Sequence, residues 1–383
     1  KERPIHKTNP TVSREAVEVI DKALEYDINR RWGSAEELRR GLLSVTSARG
    51  LASGRGEATS VLTDDILKPI WRFACEDEIR GSVTVTGDLV LVPSYDHNVY
   101  ALDIDEGKFV WKYPSEGGVV ASPCVADGMA VFGSTDRVVY SVDLNTGQLV
   151  WTASTKGRIF SSAYAHLGHF FVGSDDGNLY AIHSLTGRKA WTYASEGEIR
   201  SRPLIQDTLV LFSCQVGLVY ALTLDRELRW RFRARRGILA SPVTHEGLVY
   251  IGSLDWNLYA LDSRSGWSAW KYRTGGAVVS TAAIADDLVF FGSADGHIYA
   301  LDVADGRLVW RYQTGGQVTG SATIYNGALY IGSVDGALYS LDAQSGSLRW
   351  RYQTDGAITG AAQAVDGVVY FGSSDHYVYA IPA

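Results

Sequence analysis

Arginine is the residue most able to do something specific in this chain. Arg158, Arg200, Arg202, Arg235 and Arg236 all fall in the middle third of its 383 residues. A guanidinium is a planar fork of donors that matches the oxygens of a carboxylate or phosphate. A cluster of them around one opening would hold a small anion, a phosphorylated segment or an acidic peptide or protein. Arg80 and Phe160 belong with this group. Positions 80, 120, 160, 200, 239, 279, 319 and 359 read Arg, Val, Phe, Arg, Leu, Val, Thr, Thr, so Arg80, Phe160 and Arg200 are the departures from a small or apolar pattern. The competing reading is a set of solvated rim charges.

Other reactive side chains carry less. Asp262, Asp302 and Asp342 recur at a fixed interval and read as turn residues. One substrate cannot meet eight equivalent sites, so chemistry should lie where the repetition breaks. Asp96-His97 and Asp375-His376 form two hairpin-turn pairs, too exposed and too far apart for a metal centre. Cys214 has no indicated His partner and reads as a small buried residue rather than a nucleophile. Lys112, Lys271, Arg311 and Arg351 each follow a tryptophan. They read as a feature of an outer strand, which discounts Arg231 and Arg233 as well.

The frame that positions these residues is a repeat. Trp71, Trp111, Trp151, Trp191, Trp230, Trp270, Trp310 and Trp350 are spaced by 40, 40, 40, 39, 40, 40 and 40 residues. Tyrosines from Tyr100 to Tyr379 keep the same beat, as do Gly-Ser pairs such as Gly292-Ser293. Within a unit, 277–285, 287–293, 296–302 and 307–314 read as four short strands separated by Asp- and Gly-containing turns. Four antiparallel strands per unit make the blade of a β-propeller. The first strand should be innermost, because Gly81, Ala121, Ser161, Ser201, Ala240, Ser280, Gly320 and Gly360 leave room there for converging blades. The last unit lacks a fourth strand, and 68–74 is such a strand with no blade before it. The expected fold is all-β: an eight-bladed propeller of four-stranded antiparallel blades, closed by 68–74 completing the last blade. Closure removes two open sheet edges. The unit around 191–229 departs most, with Ser213-Cys214-Gln215-Val216 in place of Gly-Ser-x-Asp.

Composition bounds the partners. A net charge of -7 argues against nucleic acid. No apolar run approaches the ~18 residues needed to span a bilayer. Three widely spaced cysteines point to a reducing compartment without a disulfide framework. The single Met is Met129, so the chain reads as a fragment or processed product.

Residues 1–46 follow a different rule. Ala16, Val17, Ile20, Ala23 and Leu24 fall on one helical face, Ser13 is a plausible N-cap, and Ser34 with Glu37 makes a capping box. The segment resembles the C-terminal end of bacterial eukaryotic-like Ser/Thr protein kinase domains at Val12, Ser13, Val19, Ile20, Lys22, Ala23, Leu24, Asp27, Arg31, Ser34, Ala35, Glu37, Leu38 and Leu42. Trp32 and Ile28 depart from that pattern. The resemblance implies that Arg31 paired with a buried glutamate of the parent kinase. No phosphate loop, catalytic loop or Asp-Phe-Gly is present, so the chain itself should not transfer phosphate. The expected organisation is a helical kinase remnant (1–46), a flexible Gly/Ser-rich linker (47–67) and a propeller (68–383).

The propeller resembles the PQQ-like repeat family, through Gly-Ser, Asp-Gly, Tyr-Ala-Leu-Asp and Trp at fixed offsets over 68–383. Members include quinoprotein dehydrogenases, assembly scaffolds and propellers appended to kinases. The quinoproteins share a vicinal disulfide and unique metal-ligating acids. No Cys-Cys occurs here, so pyrroloquinoline quinone is not expected and no metal or other cofactor is implied. The kinase tail implies a non-catalytic sensory or interaction domain. Its expected partners are the kinase catalytic domain of the same parent chain and an anion or protein ligand, in the cytoplasm. A protein-assembly scaffold is the alternative reading, and a quinone-dependent dehydrogenase a more remote one.

Overall fold

The structure is a computed structural model and describes residues 67–383 together with Lys22. The helical segment, its kinase-like pattern and most of the linker lie outside the described residues. The described residues form eight four-stranded antiparallel sheets. Seven are built from consecutive strands, as in Thr84–Thr86, Leu89–Pro93, Asn98–Asp103 and Phe109–Pro114. We number the blades from this one, so blades 2 to 7 span 124–154, 164–194, 204–233, 243–273, 283–313 and 323–353.

Blade 8 is completed by the strand Trp71–Ala74, which pairs antiparallel with Tyr377–Pro382 in the register Trp71 to Ala380 and Ala74 to Tyr377. The ring therefore closes as the repeat requires, with the closing strand beginning at Trp71 rather than at residue 68.

The innermost strands differ from expectation. They are three residues long, such as Ala283–Ala285. The preceding residues, 277–282, approach the axis without strand pairing. Arg80, Phe160 and Arg200 therefore sit in the loops that lead into the inner strands. Eight inner strands converge on one axis, and space there is too tight for a ladder to begin earlier. A Cβ on Gly81 would lie 2.4 Å from the Val120 carbonyl oxygen of the next blade. A chain of hydroxyls replaces the ladder. The amide of Ser82 donates to Ser122 Oγ, Ser122 to Ser162, Ser241 to Thr281, Thr281 to Ser321 and Ala361 to Ser82, at 2.8–3.2 Å.

Blades grip one another through the tryptophans. Trp310 Nε1 donates to the Ala343 carbonyl of the next blade at 2.9 Å, and its ring lies against Gly346. Gly346 has φ +70°, and a Cβ there would fall 2.5 Å from the indole, so only glycine meets both demands. The same indole-to-carbonyl bond is made by Trp71, Trp111, Trp151, Trp230 and Trp270. The two exceptions have physical causes. Trp191 faces the shortened turn of blade 4, where Arg226 takes the left-handed conformation at φ 71°. Trp350 faces the seam, where blade 8 has no such turn. Each apolar cluster draws on two neighbouring blades, as in Trp71, Tyr370 and Val378 packed with Val90, Tyr100 and Leu102.

Candidate functional site: a cation-lined cavity on the rim of blade 5

Repeated polar residues are consumed by the fold. In seven blades an aspartate accepts the tyrosine hydroxyl four residues on, as Asp295 does from Tyr299 at 2.8 Å. The same carboxylate accepts an amide of the incoming loop, here Gly275 at 2.7 Å. Burial would raise the pKa of Asp295, but the hydrogen bonds from Tyr299, His297 and Gly275 outweigh it and hold the carboxyl below its usual range. Asp96, Asp176 and Asp255 are lowered for the same reasons. The second recurring aspartate is a turn residue: Asp262 Oδ1 accepts from the Ser265 amide and hydroxyl at 2.8 and 2.6 Å.

Blade 4 has Val216 where the others have aspartate, and there the Glu196 amide donates directly to Tyr220 Oη at 3.1 Å. Cys214 is fully buried, and burial pushes its thiol pKa up.

Where the repetition breaks, the arginines separate into distinct environments. Arg200 is engaged within the fold. It makes a two-pronged ion pair with Asp175 at 2.8 and 2.9 Å, lies 4.4 Å over the Phe160 ring, and donates to the Gln215 amide oxygen in the orientation that satisfies both groups. Arg80 pairs with Glu78 at 2.6 Å and lies over Tyr95. Arg231 and Arg233 share Glu196 at 2.5 and 2.7 Å. Arg158 is exposed at the rim and has no ion pair among the described residues.

Arg202 points into the central channel. It stands where most other blades carry a serine or threonine, donates to the Ala163 carbonyl at 3.3 Å, and lies 5.1 Å over Tyr164. The channel encloses about 750 Å³ and is walled by Ser82, Ser122, Ser162, Ser241 and Thr281 with small apolar residues. Among the described residues its wall carries no carboxylate. It therefore does not fit a quinone held with a calcium ion, which needs acidic ligands. The two Asp-His turns lie on neighbouring blades 8 and 1. Their carboxylates bond Tyr379 and Tyr100, and among the described residues no three His, Cys, Asp or Glu side chains form a metal-holding group.

Arg235 and Arg236 open onto a different space, a rim cavity of about 390 Å³ lined also by Asp255, Trp256, Asn257, Lys271 and Arg273. Two elements build it. The loop from blade 4 supplies Arg235 and Arg236. The outer strand Ser268–Arg273 supplies Lys271 and Arg273 from one face, two residues apart. Asp255 fixes the floor, accepting the Tyr259 hydroxyl at 2.7 Å, the Arg235 amide at 2.9 Å and Asn257 Nδ2 at 2.8 Å. Trp256 is 40% exposed, with φ 73°. The left-handed region is uncommon for so bulky a residue. Its carbonyl is pinned by the Thr274 amide and hydroxyl, both at 2.9 Å. The Arg273 guanidinium lies 5.4 Å over its ring. Among the described residues, none of the four cationic side chains is ion-paired or hydrogen-bonded.

Of the four cations, the residue pattern singles out Arg235 and Arg236, whereas Lys271 reads as a repeat feature of an outer strand. The missing signal was Trp256, a tryptophan off the 40-residue beat at the turn position held by Gly296 and Gly336 in the next two blades.

Three comparisons bear on what this chain resembles. The family described as outer membrane protein assembly factor BamB matches residues 68–159, 135–236, 215–324 and 315–383. No curated protein sequence matches the chain. Among solved structures, BamB from Moraxella catarrhalis is 19% identical, covers 83% of this chain and 100% of its own, and superposes with a TM-score of 0.72. The computationally designed Ika8 protein is 18% identical, with 81% of this chain and 98% of its own covered and a TM-score of 0.73. A europium-containing methanol dehydrogenase is 13% identical, with 83% and 93% covered and a TM-score of 0.71. At these identities the structural likeness concerns the fold alone. No helix among the described residues is long and apolar enough to cross a membrane.

Proposed function

The chain belongs to the family of the outer membrane protein assembly factor BamB, and from that premise we propose that it works by binding, as the sensory or interaction module of a bacterial Ser/Thr protein kinase. The observation that carries the binding reading is the rim cavity of blade 5, where four cationic side chains converge and, among the described residues, none has an ion-pair or hydrogen-bond partner. The recurring aspartates and tyrosines are committed to holding blades and turns, which leaves the departures from symmetry to meet a ligand. The kinase reading is supported by the residue pattern over 12–42. It makes the catalytic domain of the parent polypeptide a partner and the cytoplasm the compartment. The test adds this chain to the purified catalytic domain and follows autophosphorylation and complex formation by calorimetry. A changed rate with a measurable complex supports the reading, and neither effect refutes it.

An assembly scaffold is the second reading, favoured by bulky apolar side chains left in water. Leu167 and Leu185 in the turns of blade 3 and Trp267 in blade 5 are strongly exposed, Trp267 at 79%. Antiparallel strand order sets these turns at the end of the ring away from the cationic cavity. A complex abolished by Trp267→Ser, with the blade 5 cavity intact, would favour scaffolding.

A further inference from the structure

We propose that the rim cavity of blade 5 is a binding site for a phosphate monoester. The proposal rests on the binding reading above and names the ligand class. Arg235, Arg236, Lys271 and Arg273 line one space of about 390 Å³. The one carboxylate on the lining among the described residues, Asp255, is spent on Tyr259, Asn257 and the Arg235 amide. Four cations against one committed carboxylate leave an excess that a single carboxylate ligand would not balance. A phosphate monoester carries roughly -1.5 to -2 at neutral pH and three strong acceptor oxygens. Three of the four cations are arginines, which donate in pairs to such oxygens. Binding would also relieve the mutual repulsion of four like charges held close together.

Trp256 supplies the apolar wall. Arg273 covers part of it, and the exposed remainder of the indole can meet the organic part of an ester. The left-handed turn itself belongs to the repeat, since His97, Arg137, Gly296 and His376 hold the same place at φ 74–83°, and what blade 5 adds is an indole standing there. Among the described residues the full combination occurs once: the corresponding places in blade 6 are Gly275, Gly276, Gly296, Arg311 and Gln313, which keep one cation of the four.

The experiment uses the full chain in titration calorimetry at low and physiological salt. The probes are inorganic phosphate, a phosphothreonine peptide, the same peptide unphosphorylated, and a nucleoside monophosphate. Phosphorylated probes should bind and the plain peptide should not. Arg236→Ala and Arg273→Ala should each weaken binding about tenfold, the loss of one charge-assisted contact. Gln313→Ala in blade 6 should change nothing. Preference for the phosphopeptide marks a protein-borne phosphate and preference for the nucleotide a soluble one, and either supports the site. Equal binding of the two peptides overturns it. So does wild-type affinity in Arg236→Ala and Arg273→Ala proteins whose melting temperatures are unchanged. Arg273→Lys keeps the charge and guards against misfolding, and it should retain most of the affinity. The autophosphorylation assay is independent of these titrations, so the phosphate site and the kinase reading can fail separately.

Discussion

A single indole shows how this ring is held. Trp151 is buried, packs on Gly187 and donates to the Ser184 carbonyl at 2.6 Å. Among the described residues Trp191 finds no carbonyl partner, and it is only half-buried. Trp151→Ala should cost about 3–5 kcal/mol of stability, and Trp191→Ala clearly less. Equal losses in denaturant titrations would show that the indole hydrogen bond and its glycine seat contribute little.

The aspartate–tyrosine pairs give a second prediction at this scale. Asp96, Asp176, Asp255 and Asp295 are more acidic folded than unfolded. The stability they contribute is present above the unfolded value near pH 4 and drains away as pH falls through the folded value. Their tyrosine partners shift the other way. Burial and the facing aspartate raise Tyr100, Tyr180, Tyr259 and Tyr299, and raise Tyr339, partner of Asp335, to about 12. That contribution is complete below about pH 10 and is lost as pH climbs through the folded values. Stability should be level between roughly pH 5 and 9 and fall on both sides. Asp295→Asn should shallow the acid limb, which denaturation midpoints across pH would reveal.

At the scale of the element, blade 4 is an experiment the sequence has already begun. Val216 replaces the aspartate, and Tyr220 takes the Glu196 amide directly. Val216→Asp should restore the bridge and add about 1 kcal/mol, read as a raised urea midpoint. An unchanged midpoint would mean the bridge merely substitutes for water. The closing strand offers the opposite test. Removing residues 71–74 bares the edge of Tyr377–Pro382 and takes away the indole that sits on Gly107 and donates to the Ile104 carbonyl. Light scattering should then show association through that edge, and an unaltered monomer would count against closure as a stabilising device.

Period and closure were legible in the residues because they repeat: tryptophan, tyrosine and Gly-Ser mark each strand by position alone. The length of the innermost strand was not legible. Small β-branched residues at 277–282 look strand-like, and only the crowding of eight blades at the axis denies them a partner. The cavity was half legible. Arg235 and Arg236 stood out as departures, whereas Lys271 sat at a position where other blades also place a cation. Its neighbours across the cavity depend on the pairing of blade 5's outer strand. Arg200 stood out equally in sequence, yet Asp175 and Phe160 occupy it. A departure from the repeat marks a place to look, and only geometry shows whether the side chain is free.

At the scale of the molecule, the strand that finishes blade 8 comes from the opposite end of the propeller sequence. On a ribosome, Trp71 is made long before Ala380, the residue it faces. At roughly 5–20 residues per second the wait is on the order of 15–60 s. During that interval the first-made strand has no sheet to join, while every later blade can fold against its predecessor. The nascent chain thus carries an unclaimed, partly apolar segment until blade 8 has been made. Whatever occupies that segment meanwhile, be it a chaperone or another copy's unfinished blade, decides whether the product is a single ring or an entangled pair.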